Sequence, residues 1–388
     1  MIFRVSRKLR FIFNNMITLF SFMLYQIGGS KKSEKTRLIK LKEFIFEQKV
    51  GNCSFRFSDS VNIENLYSSS YACMAISILN SDDNLLISAD DWKYYFDNFQ
   101  NEDDGLFYDK NIINDSFHDS DMWGARHLAL HMCGAYNSIN LKPKHEFLFI
   151  KKYYSRQEIV NLIESHNWES YDLYEGDFDN KIMNIGTILQ YQRDFFCDQN
   201  AEKAIQTLKK ELKNKINPKT GIWGPYISGD KPRIRSRAIQ FAYHLMPIFF
   251  YDSDLDEFDF NRIIKICLKT QNILGGYGVK LNSSACEDID SIDILIRSYE
   301  HVHDDLKFKI SESIDKALKW ILFNQSKDGG FFFRFNEEMQ HGHENLTSKK
   351  NRGEMFSSWF RLLSIAYIYR FTKKDLGLLL KNTNPYEF

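Results

Sequence analysis

Five glycine-bearing breaks recur along this sequence, and they limit its fold more than any local propensity does. Each reads as a polar helix end, a glycine turn and an aromatic residue, at Gly51, Gly105, Gly221, Gly276 and Gly330. The intervals are 54, 116, 55 and 54 residues, and the long one is two periods with a degraded mark near His166-Asn167-Trp168. The first and last marks share Phe-Arg-Phe, at Phe55-Arg56-Phe57 and Phe333-Arg334-Phe335. A repeat of this size holds two helices and their loops, and such a unit buries its apolar face only against its neighbours.

The segments between marks agree. Helices leading into the turns carry apolar residues at a 3.6-residue period, clearest at Leu38–Phe46, Ala204–Leu212, Phe260–Leu268 and Ile314–Phe323. A polar loop follows each mark, then a second helix that is apolar nearly all round. These are Ser69–Leu79, Asp121–Tyr136, Lys181–Asp194, Arg237–Phe250, Asp288–Tyr299 and Glu354–Tyr369. A helix apolar on every side is buried on every side. Six amphipathic and six all-apolar helices in alternation predict an all-α chain, an (α/α)6 toroid of six helix pairs in two concentric rings. Every inner helix then runs the same way, so six amino-terminal ends meet at one mouth and favour a phosphate or diphosphate there.

Composition narrows the partners. The 51 basic and 51 acidic side chains cancel, which gives nucleic acid no electrostatic hold. Aromatic residues reach 15 %, with 33 Phe and 20 Tyr, which suits either a Phe-rich core or a cavity for an apolar or cationic guest. The six cysteines show no C-x-x-C spacing, so neither a disulfide framework nor a zinc finger is signalled, and a cytoplasmic setting is the expectation.

The amino terminus qualifies that setting. Arg4, Arg7, Lys8 and Arg10 precede an uncharged run from Phe11 to Gly29, and Lys31, Lys32, Lys35 and Arg37 follow it. The run contains Asn14, Asn15 and Gln26 and is near the lower limit for crossing a bilayer. Residues 1–29 are expected to lie on an anionic membrane face as a basic amphipathic segment, with a signal anchor and a plain structural helix as alternatives. The toroid would occupy residues 30–388 and stay folded without that segment.

Polar residues gather where the inner helices begin. The densest group is Glu287, Asp288, Asp290 and Asp293, four carboxylates within seven residues opening a helix that turns apolar at Ile294. Residues three apart on a helix share a face, so Asp290 crowds both Glu287 and Asp293. Crowding raises the pKa of at least one acid and leaves it able to donate a proton; the alternative is ordinary acidity at a helix start, favoured by the dipole. Asp119, Trp123 and His127 open the second inner helix, Asn184 lies on the third, and Tyr243 and His244 lie on the fourth. Trp359 and Arg361 lie on the sixth, where Arg361 binds an anion or pairs with one of the carboxylates. His341-Gly342-His343-Glu344 reads as a solvated loop.

The marks Gln325-Ser326-Lys327-Asp328-Gly329-Gly330-Phe331 and Gln271-Asn272-Ile273-Leu274-Gly275-Gly276-Tyr277 resemble the repeat of the terpenoid cyclase/protein prenyltransferase superfamily. The resemblance covers nearly all of the chain after about residue 35 and implies an α/α toroid. Asp288-Ile289-Asp290-Ser291 is similar to the Asp-x-Asp-Asp motif of squalene-hopene-type cyclases, whose middle aspartate protonates an alkene or epoxide. It differs in its last residue, with Asp293 two positions on. The resemblance implies Asp290 as the general acid. Prenyltransferase β subunits hold zinc with Asp-x-Cys and a distant His; here Cys286-Glu287-Asp288 runs in the reverse order. The same fold also serves polysaccharide lyases, glycosidases and sugar epimerases.

The leading expectation is therefore an enzyme of the cyclase/prenyltransferase type, acting on an apolar or diphosphate-bearing isoprenoid at a membrane face. Asp290 would be the acid, with Glu287, Asp288 and Asp293 as its electrostatic partners. Asp119, Trp123, His127, Asn184, Tyr243, His244, Trp359 and Arg361 would line the substrate site. No cofactor is required, although zinc or magnesium is compatible with the resemblance. The alternatives are a carbohydrate-active toroid using paired carboxylates and a non-catalytic toroid that binds a partner.

Overall fold

A computed structural model describes residues 2–29, 33–79, 87–225, 231–381 and 383 of the chain. The side chains of residues 2–10 lie outside the described residues, so the basic groups of Arg4, Arg7, Lys8 and Arg10 are not placed, and neither are Lys31 and Lys32. Helix α1 (Ile2–Leu24) comes first. Six helix pairs follow: α2 (Glu34–Glu47) with α3 (Leu66–Leu79), α4 (Ala89–Asp97) with α5 (Trp123–Ser138), and α6 (Arg156–Glu164) with α7 (Phe178–Phe196). The rest are α8 (Gln199–Lys213) with α9 (Pro232–Tyr251), α10 (Phe260–Leu268) with α11 (Ala285–Arg297), and α12 (Asp304–Phe323) with α13 (Met355–Phe371). A short antiparallel pair, β1 (Met339–Gln340) and β2 (Thr347–Ser348), interrupts the last connection.

The second helix of each pair forms the inner ring. α3 packs on α5, α5 on α7, α7 on α9, α9 on α11, α11 on α13, and α13 returns to α3, so the ring closes. Burial follows the sequence pattern. In α10 the buried residues are Phe260, Ile263, Ile264 and Cys267, one apolar stripe of a helix whose other side carries Asn261, Arg262 and Lys265. In α13 every residue from Met355 to Tyr369 is buried. The toroid is the architecture the spacing predicts.

The marks act as turns and as staples between repeats. Isolated antiparallel bridges close the turns at Lys49–Phe55, Gln100–Phe107, Ile216–Trp223, Gln271–Tyr277 and Gln325–Phe331. In the two Gly-Gly marks the left-handed residue is the first glycine: Gly275 has φ +100° and Gly329 has φ +99°. A Cβ on Gly275 would lie 2.3 Å from the carbonyl oxygen of Lys316, and one on Gly329 would lie 2.2 Å from that of Lys40. Glycine is required there both for conformation and for the approach of the next outer helix. The Gln of the mark adds a clamp. Gln271 Nε2 donates to Ser313 O at 2.8 Å, and Gln325 Nε2 donates to Arg37 O at 2.9 Å, which joins the last repeat to the first. The degraded sixth mark has lost its glycine but keeps its anchor: the Trp168 indole donates to Ile163 O at 2.7 Å, as Trp223 does to Leu212 O at 2.8 Å.

Helix α1 is not a detached segment. Thr18 and Phe22 are buried, and the Phe22 ring meets Phe323 edge-on at 5.3 Å and Trp320 at 5.8 Å on α12. The next turn brings the Tyr25 hydroxyl to 2.8 Å from Arg37 Nη2. The opposite face carries Phe13, Met16, Phe20, Met23 and Ile27, all exposed. Among the described residues, Phe11–Gly28 is the one stretch long and apolar enough to cross a bilayer, with mean hydropathy 1.2.

Candidate active site

The inner-helix starts bring together a different set of side chains from the one the sequence singles out. Asp288, fully buried, is part of the scaffold. Its Oδ1 accepts from Tyr277 N at 2.9 Å and Ser283 Oγ at 2.7 Å, and its Oδ2 accepts from Trp320 Nε1 at 3.0 Å and Arg361 Nη1 at 2.9 Å. Arg361 spends its other N–H groups on Phe332 O and Phe333 O, at 3.2 and 3.1 Å. Both ends of this ion pair are saturated and inaccessible, so Arg361 binds a carboxylate of the protein rather than a substrate anion. Cys286-x-Asp288 does not suit zinc either, because the Asp288 oxygens are already taken by donors.

Glu287 completes a capping box with Ser284 and pairs with Arg334 Nη2 at 2.7 Å. Asp293 accepts from Arg297 Nε one turn on, at 2.6 Å. Asp290 differs from all three. It is 3 % exposed and makes no hydrogen bond among the described residues. Burial, and after it the charge of Glu287, pushes its pKa well above the usual carboxylate range, against the pull of Arg237.

Facing it on α7 and α9 is a cluster that the sequence reading missed in part. Asp179, fully buried, accepts from Arg237 Nη1 at 2.8 Å and Nη2 at 2.9 Å, and from His244 Nδ1 at 2.7 Å. Burial alone would raise its pKa, yet the charges and hydrogen bonds of His244 and Arg237 hold it well below the carboxylate range. Asp179 is thus ionised, and its bond to Nδ1 orients the His244 ring. The partners sit 58 and 65 residues away, about one repeat on.

A second group lies toward α3 and α5. The Tyr67 hydroxyl and His127 Nδ1 are 2.7 Å apart, and Trp123 stacks on His127 at 4.9 Å. His131 meets the edge of Tyr71 at 5.1 Å, and Tyr71 stacks on Trp359 at 5.2 Å. His341 is half-buried rather than solvated. Its ring stacks on Phe356 at 4.6 Å, and burial lowers its pKa to about 4. Burial, and after it the neighbouring histidines, lowers the pKa of His127 well below the usual histidine range.

The remaining expected residues are dispersed. Asp119 is exposed and caps the turn before α5, accepting from Asp121 N at 2.9 Å and Met122 N at 2.6 Å, so it does not line the cavity. Tyr243, one residue from His244 on α9, is buried. Asn184 is fully buried on α7, and its amide makes no hydrogen bond among the described residues.

Two pockets open at the mouth. One of about 710 Å³ lies at the starts of α7, α9 and α11, lined by Tyr171, Tyr174, Lys231, Arg237, Gln240 and Glu287 among others. The other, about 260 Å³, is lined by Tyr67, Phe117, Trp123, His341 and His343 among others.

No protein-family model matches this sequence, and no curated protein matches it. Solved structures do. A polysaccharide lyase is 11 % identical with a TM-score of 0.50, the match covering 89 % of this chain and 100 % of that one. The type II terpene cyclase MstE from Scytonema is 10 % identical with a TM-score of 0.49, covering 88 % and 98 %. An α-mannanase of Bacteroides thetaiotaomicron is 12 % identical with a TM-score of 0.46, covering 90 % and 99 %. The fold is an α/α toroid. Identities this low show the fold and leave the chemistry to the residues.

Proposed function

We propose that this protein is a general acid–base enzyme whose site lies on the toroid axis just below the mouth. The observation that carries the reading is Asp290, a buried carboxyl without a hydrogen-bond partner among the described residues, in surroundings that favour its protonated form. Such a group donates a proton to a bridging oxygen or an alkene. His244, held by ionised Asp179, is the matching acceptor. No metal enters the scheme.

The substrate class follows from what lines the approach. The Gln240 amide and the Lys231 ammonium would be desolvated without a partner against a hydrocarbon chain. We therefore favour a hydroxylated, carbohydrate-type substrate. The isoprenoid reading is favoured by two separate observations, the exposed apolar face of α1 and the aromatic cluster of Tyr71, Phe356 and Trp359 on the inner ring. In that reading Asp290 protonates an alkene and the rings face the resulting cation. In either case α1 lies in the plane of an anionic membrane surface, since one stripe is docked on α12 and the other faces outward.

The test is Asp290→Asn, assayed by mass spectrometry of products from saccharide and polyprenyl diphosphate pools. Loss of turnover by about 10²–10⁴-fold with the melt retained is expected; turnover within a few-fold of wild type refutes the assignment.

A further inference from the structure

Helix α1 reaches the mouth of the ring. Phe11, Asn14 and Asn15 line a pocket of about 360 Å³ together with Lys280, Asn282 and Asn336. Those three partners lie on the loops that lead from the last two marks into α11 and α13. Asn14 Oδ1 accepts from Asn336 Nδ2 at 3.4 Å. Further along α1, Phe22 is buried in one cluster with Leu274, Trp320 and Phe323, and Leu281 packs against that cluster. The loop that follows the mark at Gly276 is therefore a seat for α1, as α12 is.

The same loop is the lip of the larger mouth pocket. Val279 and Glu287 line that 710 Å³ space, while Lys280 and Asn282 line the pocket against α1. One stretch of chain thus separates α1 from the mouth, and it is pinned on both sides. Gly278 has φ +104°, and a Cβ there would lie 2.4 Å from Glu287 Oε1. Asn272 Nδ2 donates to Lys280 O at 3.1 Å, and Asn282 Nδ2 donates to Phe335 O at 3.0 Å.

Exposed apolar side chains continue across this wall. Ile273, next to Leu274, is 80 % exposed, and Val279 at the pocket lip is 45 % exposed. A lone exposed apolar residue is ordinary. These two flank the seat of α1, whose outward face carries Phe13, Met16 and Phe20. A lipid surface that takes α1 in its plane then also meets the loop on which α1 rests. Inside the lip the lining turns polar, with Tyr171, Tyr174, Lys231, Arg237 and Gln240. An apolar rim around a polar interior matches an amphiphile: a free sugar leaves the rim unused, and a free hydrocarbon strands the polar groups within.

We propose that the larger mouth pocket opens onto the bilayer and takes the saccharide head of a glycolipid whose hydrocarbon tail stays in the membrane. This rests on the in-plane placement of α1 and on the hydroxylated-substrate reading, and it adds where the substrate comes from.

The experiment is hydrogen exchange of the full chain with and without vesicles of phosphatidylcholine and phosphatidylglycerol. Exchange should slow in α1 and in residues 273–280 together, and stay unchanged at the far end of the ring, in residues 251–259. Protection of α1 without residues 273–280 overturns the proposal and leaves the membrane placement intact. No protection of α1 removes that placement and the proposal with it. Vesicles doped with diglucosyl or digalactosyl diacylglycerol should bind about tenfold more tightly than undoped vesicles of the same charge. That gain should be lost in Gln240→Leu with the melt retained, and the free disaccharide should leave it unchanged. No gain from either glycolipid, a gain retained in Gln240→Leu, or a gain abolished by free disaccharide would each overturn the proposal, the last in favour of a soluble saccharide. The acid–base reading fails separately, through turnover that survives Asp290→Asn.

Discussion

Replacing Asp288 by Asn removes one charge from the most enclosed ion pair in the molecule, and its cost follows from the geometry. The carboxylate accepts four hydrogen bonds, and Arg361 beneath it is fully buried. Asn keeps the size and one acceptor oxygen, but it turns an NH₂ toward donors and leaves the guanidinium without its counter-charge. Breaking a buried pair from one side costs about 3–5 kcal/mol. An unfolding entropy of about 2.1 cal/mol/K per residue gives, for 388 residues, about 0.8 kcal/mol/K at the midpoint. The melting temperature should therefore fall by about 4–6 °C. Scanning calorimetry reads this directly, and Arg361→Met combined with Asp288→Asn should recover part of the loss, because no charge is then stranded. If Asp288→Asn melts within 1 °C of wild type, or abolishes turnover without moving the melt, Asp288 belongs to the reaction and its assignment to the scaffold is wrong.

Three further outcomes are expected. Gly275→Ala should cost more than about 2 kcal/mol, since it combines a left-handed backbone with a Cβ driven toward Lys316 O; an unchanged urea midpoint would show that the turn relaxes freely. Burial raises the pKa of Glu354 to about 7, from about 4.3 in an unfolded chain, so its contribution to stability is fullest below that lower value and is lost as pH rises toward 7. Glu354→Gln should flatten that fall in urea melts taken across the window, and an identical slope in the variant would remove Glu354 as its source. Met16→Ser with Phe20→Ser, both 64 % exposed, should weaken binding to anionic vesicles by at least tenfold with the melt unchanged, whereas Phe22→Ser should lower the melt; vesicle binding indifferent to the first pair, or to salt, would exclude an in-plane helix.

The ring was legible in the sequence because its determinants are local and periodic. A glycine turn, a Gln clamp and an apolar stripe recur, and each leaves its mark within a few residues. The site was legible only in outline. Asp290 stood out because its neighbours on the same helix are acidic. Asp179 did not, since its importance comes from Arg237 and His244, 58 and 65 residues on, to which no local pattern ties it. Asp288 and Arg361 looked chemically active for the same reason that they are structural, as charges set in an apolar helix. His341 carried no signal, because its burial depends on where the hairpin lands across the mouth.

The clamp from Gln325 to Arg37 joins residues 288 positions apart, and this gives the molecule a property that open helical arrays lack. An array has two ends, grows or shrinks by whole units, and needs capped terminal repeats to stay soluble. Here the last unit seals against the first, so every unit is interior and their number is set by the circumference. Losing one would expose two raw faces instead of shortening the protein, and a seventh would have no gap to enter. The same closure makes the seam arbitrary: a chain with its ends joined and reopened in another inter-repeat loop would complete the same circle.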